Sequence, residues 1–141
     1  MVFEKVSYAY NDGVASYQIN YKGYQFLGVA QCHSEDMDFA NERVGLTIAE
    51  ARAIIKVLRF VRDTEIAQQI KILKHLYSNI ETSQFHNPKS HESRRIRSQI
   101  RALERELEAI NNAITDEKRF IKDYVDGKDK LYKRFRAKNQ K

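Results

Sequence analysis

The sequence is poor in the features that define several broad protein classes. Cys32 is its only cysteine, so no internal disulfide can form, which fits a reducing compartment and sets aside the small stapled folds of secreted proteins. One proline and five glycines leave it neither low-complexity nor compositionally disordered, and tryptophan is absent. No apolar run comes near the roughly 20 residues that cross a bilayer. The opening MVFEKVSYAY carries an acid and alternates, unlike a signal peptide, so a soluble protein that stays in the cytoplasm is expected. Walker loops, G-x-G-x-x-G, H-E-x-x-H and a Ser/His/Asp order are all missing. With no nucleophile beside an evident base, neither an enzyme nor a cofactor is expected.

What is present is enough for one domain: 141 residues, 42% of them hydrophobic. The formal net charge is +6, and it is unevenly placed. Residues 128–141 hold seven basic residues and one acidic, so residues 1–127 balance to zero. A surface that is wholly a nucleic-acid footprint is thereby excluded, although a short basic arm is not.

The first third reads as strands. Phe3, Val6, Tyr8 and Tyr10 alternate with polar neighbours, and Asn11-Asp12-Gly13 supplies a turn tolerant of positive φ. Val14 to Tyr21 alternates again, Lys22-Gly23 makes a second tight turn, and Tyr24 to Cys32 completes a three-stranded meander. A sheet this small needs a helical cover over its apolar face.

After an acidic loop from His33 to Arg43 the period becomes helical. Thr47-Ile48-Ala49-Glu50 reads as a capping box. Ile54, Leu58, Val61, Ile66, Ile70, Leu73, Tyr77 and Ile80 then form an apolar stripe with one irregular step at Arg62-Asp63-Thr64, which means one long helix or two joined there. Thr82 to His91, with Pro88, is a loop. Beyond it Ile96, Ile100, Leu103, Leu107, Ile110, Ile114 and Ile121 step by four and three, with Glu117 in the skipped position and Tyr124 continuing the seam. Ser90 or Ser93 can cap this helix and Asp126-Gly127 end it.

The expected fold is therefore α+β: an N-terminal antiparallel β-sheet, then long antiparallel helices that form a helical hairpin and an oligomer interface. Residues 1–45 are the meander and loop of a single domain, 46–127 the long helices, and 128–141 a basic tail. Leu131, Tyr132 and Phe135 are spaced to continue a short amphipathic helix, so the tail is expected to dock its apolar side chains on the sheet while its lysines attract anions generally.

Two clusters invite a chemical reading. Cys32-His33 with Glu35, Asp36 and Asp38 superficially suggests a metal, but no second Cys/His pair stands at a usable spacing, so these read as loop residues and no metal site is assigned. The second cluster surrounds the helix-to-helix turn: Tyr77, then Phe85, Asn87, Lys89 and Ser90, then Arg94, Arg95, Arg97, Arg101 and Arg105. A ring to stack a base, an amide to read its edge and arginines at i, i+4 to grip phosphates make a nucleotide-binding inventory. Alternatively, arginines beside Glu104, Glu106 and Glu108 form only a solvated coiled-coil flank with no ligand.

The run Tyr21-Lys-Gly-Tyr24, the segment Gly28 to Phe39 (GVAQCHSEDMDF), the segment Glu42 to Lys56 (ERVGLTIAEARAIIK) and Asn87-Pro-Lys-Ser90 together resemble the phage-encoded Thoeris anti-defence proteins of the first type. The likeness extends from about Phe3 to Lys133. It implies a non-enzymatic sponge in the host cytoplasm that binds glycocyclic ADP-ribose, the signal bacterial TIR enzymes make from NAD, and so blocks immunity without degrading the signal. It also implies a homo-oligomer, dimer or hexamer, with cyclic oligonucleotides possible at a second site between subunits. Transferred to this sequence, the stacking ring falls on Tyr77, where the family has Phe, with Phe85 as the second candidate. The base-edge amide falls on Asn87, and the phosphate and ribose contacts on Arg52, Arg101 and Arg105; Ser90 closes the Asn87-Pro-Lys-Ser motif. The choice among Arg97, Arg101 and Arg105 stays open, because the spacing from Asn87 is shorter than in the family.

Two rivals belong to other classes: a small basic nucleic-acid-binding accessory protein acting through residues 128–141, which the neutral body disfavours, and a helical adaptor or inhibitor of a host protein.

Overall fold

The computed structural model describes residues 5–31, 41–82 and 90–139. The fold is α+β, with an N-terminal antiparallel sheet followed by long helices. Strands β1 (Lys5–Asn11), β2 (Val14–Tyr21) and β3 (Tyr24–Gln31) pair in the order β1-β2-β3. Both connections are two-residue hairpins with positive φ at both central positions, Asp12 (49°) and Gly13 (80°), then Lys22 (50°) and Gly23 (80°). That geometry matches the twist of the flanking strands, and the residue pairs tolerant of it fix the register Tyr8↔Tyr17 and Tyr17↔Gly28. Residues 32–40, with Cys32, His33, Glu35, Asp36 and Asp38, lie outside the described residues, and the end of the expected acidic loop, Glu42 and Arg43, is helical.

Contacts along the chain gather into two compact units: Met1–Val57 with Ile114–Lys141, and Leu58–Ala113. In the first, helix α1 (Glu42–Phe60) lies on the sheet face that carries Ala15, Ile19, Gly28 and Ala30. Small residues on both sides allow the close approach. Gly45 and Ala49 stand one turn apart on α1; Ala49 packs with Ala15 and Ala30, and Tyr10, Tyr17, Leu46 and Ile48 close around them. An added Cβ at Gly45 would come within 2.9 Å of the Ala15 methyl, which leaves room at 45 for little but glycine.

Helix α1 starts earlier than the capping-box reading places it. Asn41 is the cap: its Oδ1 accepts from the Arg43 amide at 2.9 Å and from the Val44 amide at 3.4 Å. Thr47 is inside the helix, where its hydroxyl donates to the Arg43 carbonyl at 2.6 Å. A Thr-x-x-Glu sequence in mid-helix mimics a helix start because hydroxyl and carboxylate spacing is the same in both places.

On β3, an edge strand, the Val29 carbonyl accepts from Arg52 Nη1 at 2.6 Å and the Leu27 carbonyl accepts from Lys56 Nζ. Arg52 and Lys56 are one helical turn apart and their acceptors are two residues apart on the strand, so α1 covers outward-facing carbonyls that would otherwise offer a pairing template.

In the second unit α1 runs without a break into a π-helical turn, Val61–Ile66, and on into α2 (Ala67–Glu81). The irregular step in the apolar stripe is this turn, and the widened winding keeps both Val61 and Ile66 buried. Thr64 bonds the Phe60 carbonyl at 2.6 Å, and Arg62 pairs with Asp63 at 2.8 Å and reaches Asn111 at 3.3 Å. The Asp63 carboxyl is held below its ordinary range by the bond from Arg62. A Lys74–Glu104 ion pair at 3.3 Å and the Arg62–Asn111 bond show α2 antiparallel to the first half of α3 (His91–Asn139), as a helical hairpin. Every described seam position from Ile96 to Tyr124 is buried or half-buried.

Helix α3 does not end at Gly127. It continues to Asn139, so the basic tail is its last part. Leu131, expected against the sheet, is 36% exposed. A lone glycine with helix formers on both sides lowers helix stability by only about 1 kcal/mol, too little to stop so long a helix.

Candidate functional site

The N-terminus of α3 is organised by Ser90. Its hydroxyl accepts from the Ser93 amide at 3.2 Å and bonds the fully buried Ser93 hydroxyl at 2.9 Å, while its carbonyl accepts from the Arg94 amide at 3.1 Å. Of the two serines it is therefore Ser90 that caps the helix, and its hydroxyl is already committed. Arg97 is the next cation on this side; its Nε reaches the Ser93 carbonyl at 3.4 Å.

Arg101 and Arg105 follow at spacings of four, both exposed. Among the described residues neither is in an ion pair, and Glu104 between them reaches across the hairpin to Lys74. A solvated coiled-coil flank presents exposed arginines in the same way. The cross-hairpin partner was not legible from α3 alone; the signal for it lies in the opposed apolar stripes, whose registration places Lys74 level with Glu104.

The same registration locates Tyr77. It lies three residues beyond Lys74, and Arg101 three residues before Glu104, so both stand about 4.5 Å nearer the connecting segment on their own helices. Tyr77 is half-buried. Phe85 and Asn87 lie outside the described residues, as does Pro88. Tyr77, Ser90, Arg101 and Arg105 thus share one unit, whereas Arg52 belongs to the other and spends one guanidinium nitrogen on Val29.

Beside the arginine row an apolar groove runs between α2 and α3, lined by Gln69, Ile72, Leu73, Gln99, Ala102 and Leu103. Ile72 is 66% exposed and Leu76 45%, so α2 presents apolar side chains outward as well as into the hairpin. In the sheet unit the titratable residues are less ordinary. Burial, then Glu50 and Tyr8, raises the Tyr17 phenol, and burial, then Glu50 and Asp116, raises the Glu117 carboxyl. Among the described residues no three His, Cys, Asp or Glu side chains form a metal-binding group, and no helix is long and apolar enough to cross a membrane.

No protein-family model, curated protein or solved structure matches the chain.

Proposed function

We propose that this chain captures a cyclic nucleotide signal, glycocyclic ADP-ribose of the kind TIR enzymes make from NAD, and holds it away from its effector without degrading it. The observation that carries the reading is the exposed pair Arg101 and Arg105, one turn apart and outside any ion pair among the described residues, while Glu104 is engaged by Lys74. Two guanidinium forks at this spacing suit the two charges of a pyrophosphate. Tyr77, level with Arg101, supplies a ring for the adenine. Phe85 and Asn87, in the segment between the two helices, are the proposed second ring and base-edge amide, and Ser90 caps α3 beside them in sequence.

A sponge needs slow release and no turnover, and closing a second subunit over the site removes water and strengthens the charged hydrogen bonds. The outward apolar residues Ile72 and Leu76 support assembly with a second copy, which on this reading forms a dimer or hexamer. The same apolar face supports a second reading, a helical adaptor that occupies a host protein.

The test is depletion and recovery. Added protein should remove free glycocyclic ADP-ribose from a TIR reaction, and heating should return it unchanged; recovery of ADP-ribose would make the protein an enzyme, and no depletion would remove the ligand.

A further inference from the structure

The last part of α3 carries all the excess charge of the chain and belongs to the sheet unit, apart from the arginine row. Along one of its faces Phe120 stacks on Tyr124, with ring centroids 5.6 Å apart and planes 28° from parallel. The Lys128 ammonium sits over the Tyr124 ring, 5.5 Å from its centroid. One turn on from Tyr124 the helix has Gly127, and a Cβ built there meets nothing within 4 Å. A notch results, walled by Tyr124 and Leu131 and rimmed by Lys128, Lys130 and Arg134, with Asp123 as its one acid.

We propose that this notch binds single-stranded nucleic acid, taking a base against the Tyr124 ring and the adjoining phosphates on Lys128, Lys130 and Arg134. An aromatic platform flanked by cations is the arrangement by which single strands are held without sequence readout. The ring is backed by Phe120 and so is held flat for an incoming base. Lys128 lies over the ring in a half-buried cation–π contact, worth no more than base stacking. A base therefore displaces the ammonium, which is then available to the phosphate of the same nucleotide. Lys130 and Arg134, one turn apart, extend the cationic track by about 6 Å. A lipid surface fits less well. Asp123, Asp126 and Asp129 fall on the polar side of the helix, where a lipid-binding helix carries cations for anionic headgroups. The tail is thus more than a diffuse attraction for anions, because Gly127 places a base-sized opening within it.

The experiment is fluorescence anisotropy of a labelled oligopyrimidine with the full chain, titrated at salt from about 50 mM to about 200 mM, with a blunt duplex and phosphatidylserine vesicles as competitors. Binding should weaken with salt, and Lys130→Ala and Arg134→Ala should each flatten the log–log slope by about 0.7. Tyr124→Ala should weaken binding by about 5- to 150-fold, and Tyr124→Phe should restore it. Gly127→Leu, which leaves the charge intact and favours the helix, should fill the notch and weaken binding similarly. Affinity indifferent to Gly127→Leu and Tyr124→Ala would overturn the proposal. So would absence of binding at the lowest salt, or stronger competition by duplex or vesicles than by unlabelled single strand.

Discussion

Gly28 on β3 lies against Ala49 on α1 so closely that an added Cβ would overlap the Ala49 carbonyl oxygen and stand 2.5 Å from the Ala53 amide nitrogen. Both neighbours are helix backbone, which cannot turn aside as a side chain can. Gly28→Ala should therefore destabilise the sheet unit by about 1–3 kcal/mol or more, seen as a lower thermal midpoint. Gly127→Ala is the opposite case. It is a helical glycine with open space around it, and the substitution should stabilise by about 0.5–1 kcal/mol.

Arg52 and Lys56 cover the outward carbonyls of β3 at Val29 and Leu27. Replacing both with alanine should lower the unfolding free energy measured in urea by about 1–2 kcal/mol, within the range for exposed charged hydrogen bonds. It should also increase concentration-dependent scattering, since an uncovered edge invites pairing with another chain. Arg101→Ala, which breaks no bond among the described residues, should leave both measurements unchanged.

Glu117 fills a seam position of α3 that its neighbours give to isoleucine and leucine, and burial, then Glu50 and Asp116, raises its carboxyl above the ordinary 4.5. A carboxyl whose folded-state value lies above the unfolded one destabilises the fold when ionised. The penalty is fully present above the folded value and disappears below the unfolded one. Glu117→Gln should therefore raise the thermal midpoint at neutral pH, and the gain over wild type should shrink as the pH falls toward 4.5. Glu50→Gln should reduce the same gain, because one of the repelling charges is gone.

The sheet and its turns were legible because Asp12, Gly13 and Gly23 are chemically suited to positive φ and because alternation has only one register with the apolar face buried. The seam of α3 was legible for a similar reason, since steps of four and three leave one face to bury. The irregular step at Arg62-Asp63-Thr64 was visible as a break in period, although period alone does not separate a π turn from a joint between two helices. Local motifs misled where context overrode them. Thr47 and Glu50 have the spacing of a cap but sit in mid-helix, and Gly127 has the look of a terminus but is carried through by the residues around it. Of the candidate site, the arginine spacing could be read directly from the chain. The engagement of Glu104 by Lys74 depends on the registration of two helices, which no single segment encodes.

Arg101 and Arg105 are the residues on which the ligand reading stands. Either alanine variant should weaken binding of glycocyclic ADP-ribose by about 1.5–3 kcal/mol in titration calorimetry, the loss of one charged hydrogen-bonded contact. Arg101→Lys should recover only part of it, because a point charge replaces a fork. Equal affinity in both alanine variants and the wild type would move the site elsewhere.

Native mass spectrometry of the protein after incubation with TIR-enzyme product tests the central claim most directly, since it reports ligand mass, stoichiometry and oligomer size together. The account predicts an oligomer carrying intact glycocyclic ADP-ribose, lost when Arg101 and Arg105 are both replaced by alanine. Bare protein, or protein accompanied by ADP-ribose released into solution, would contradict it.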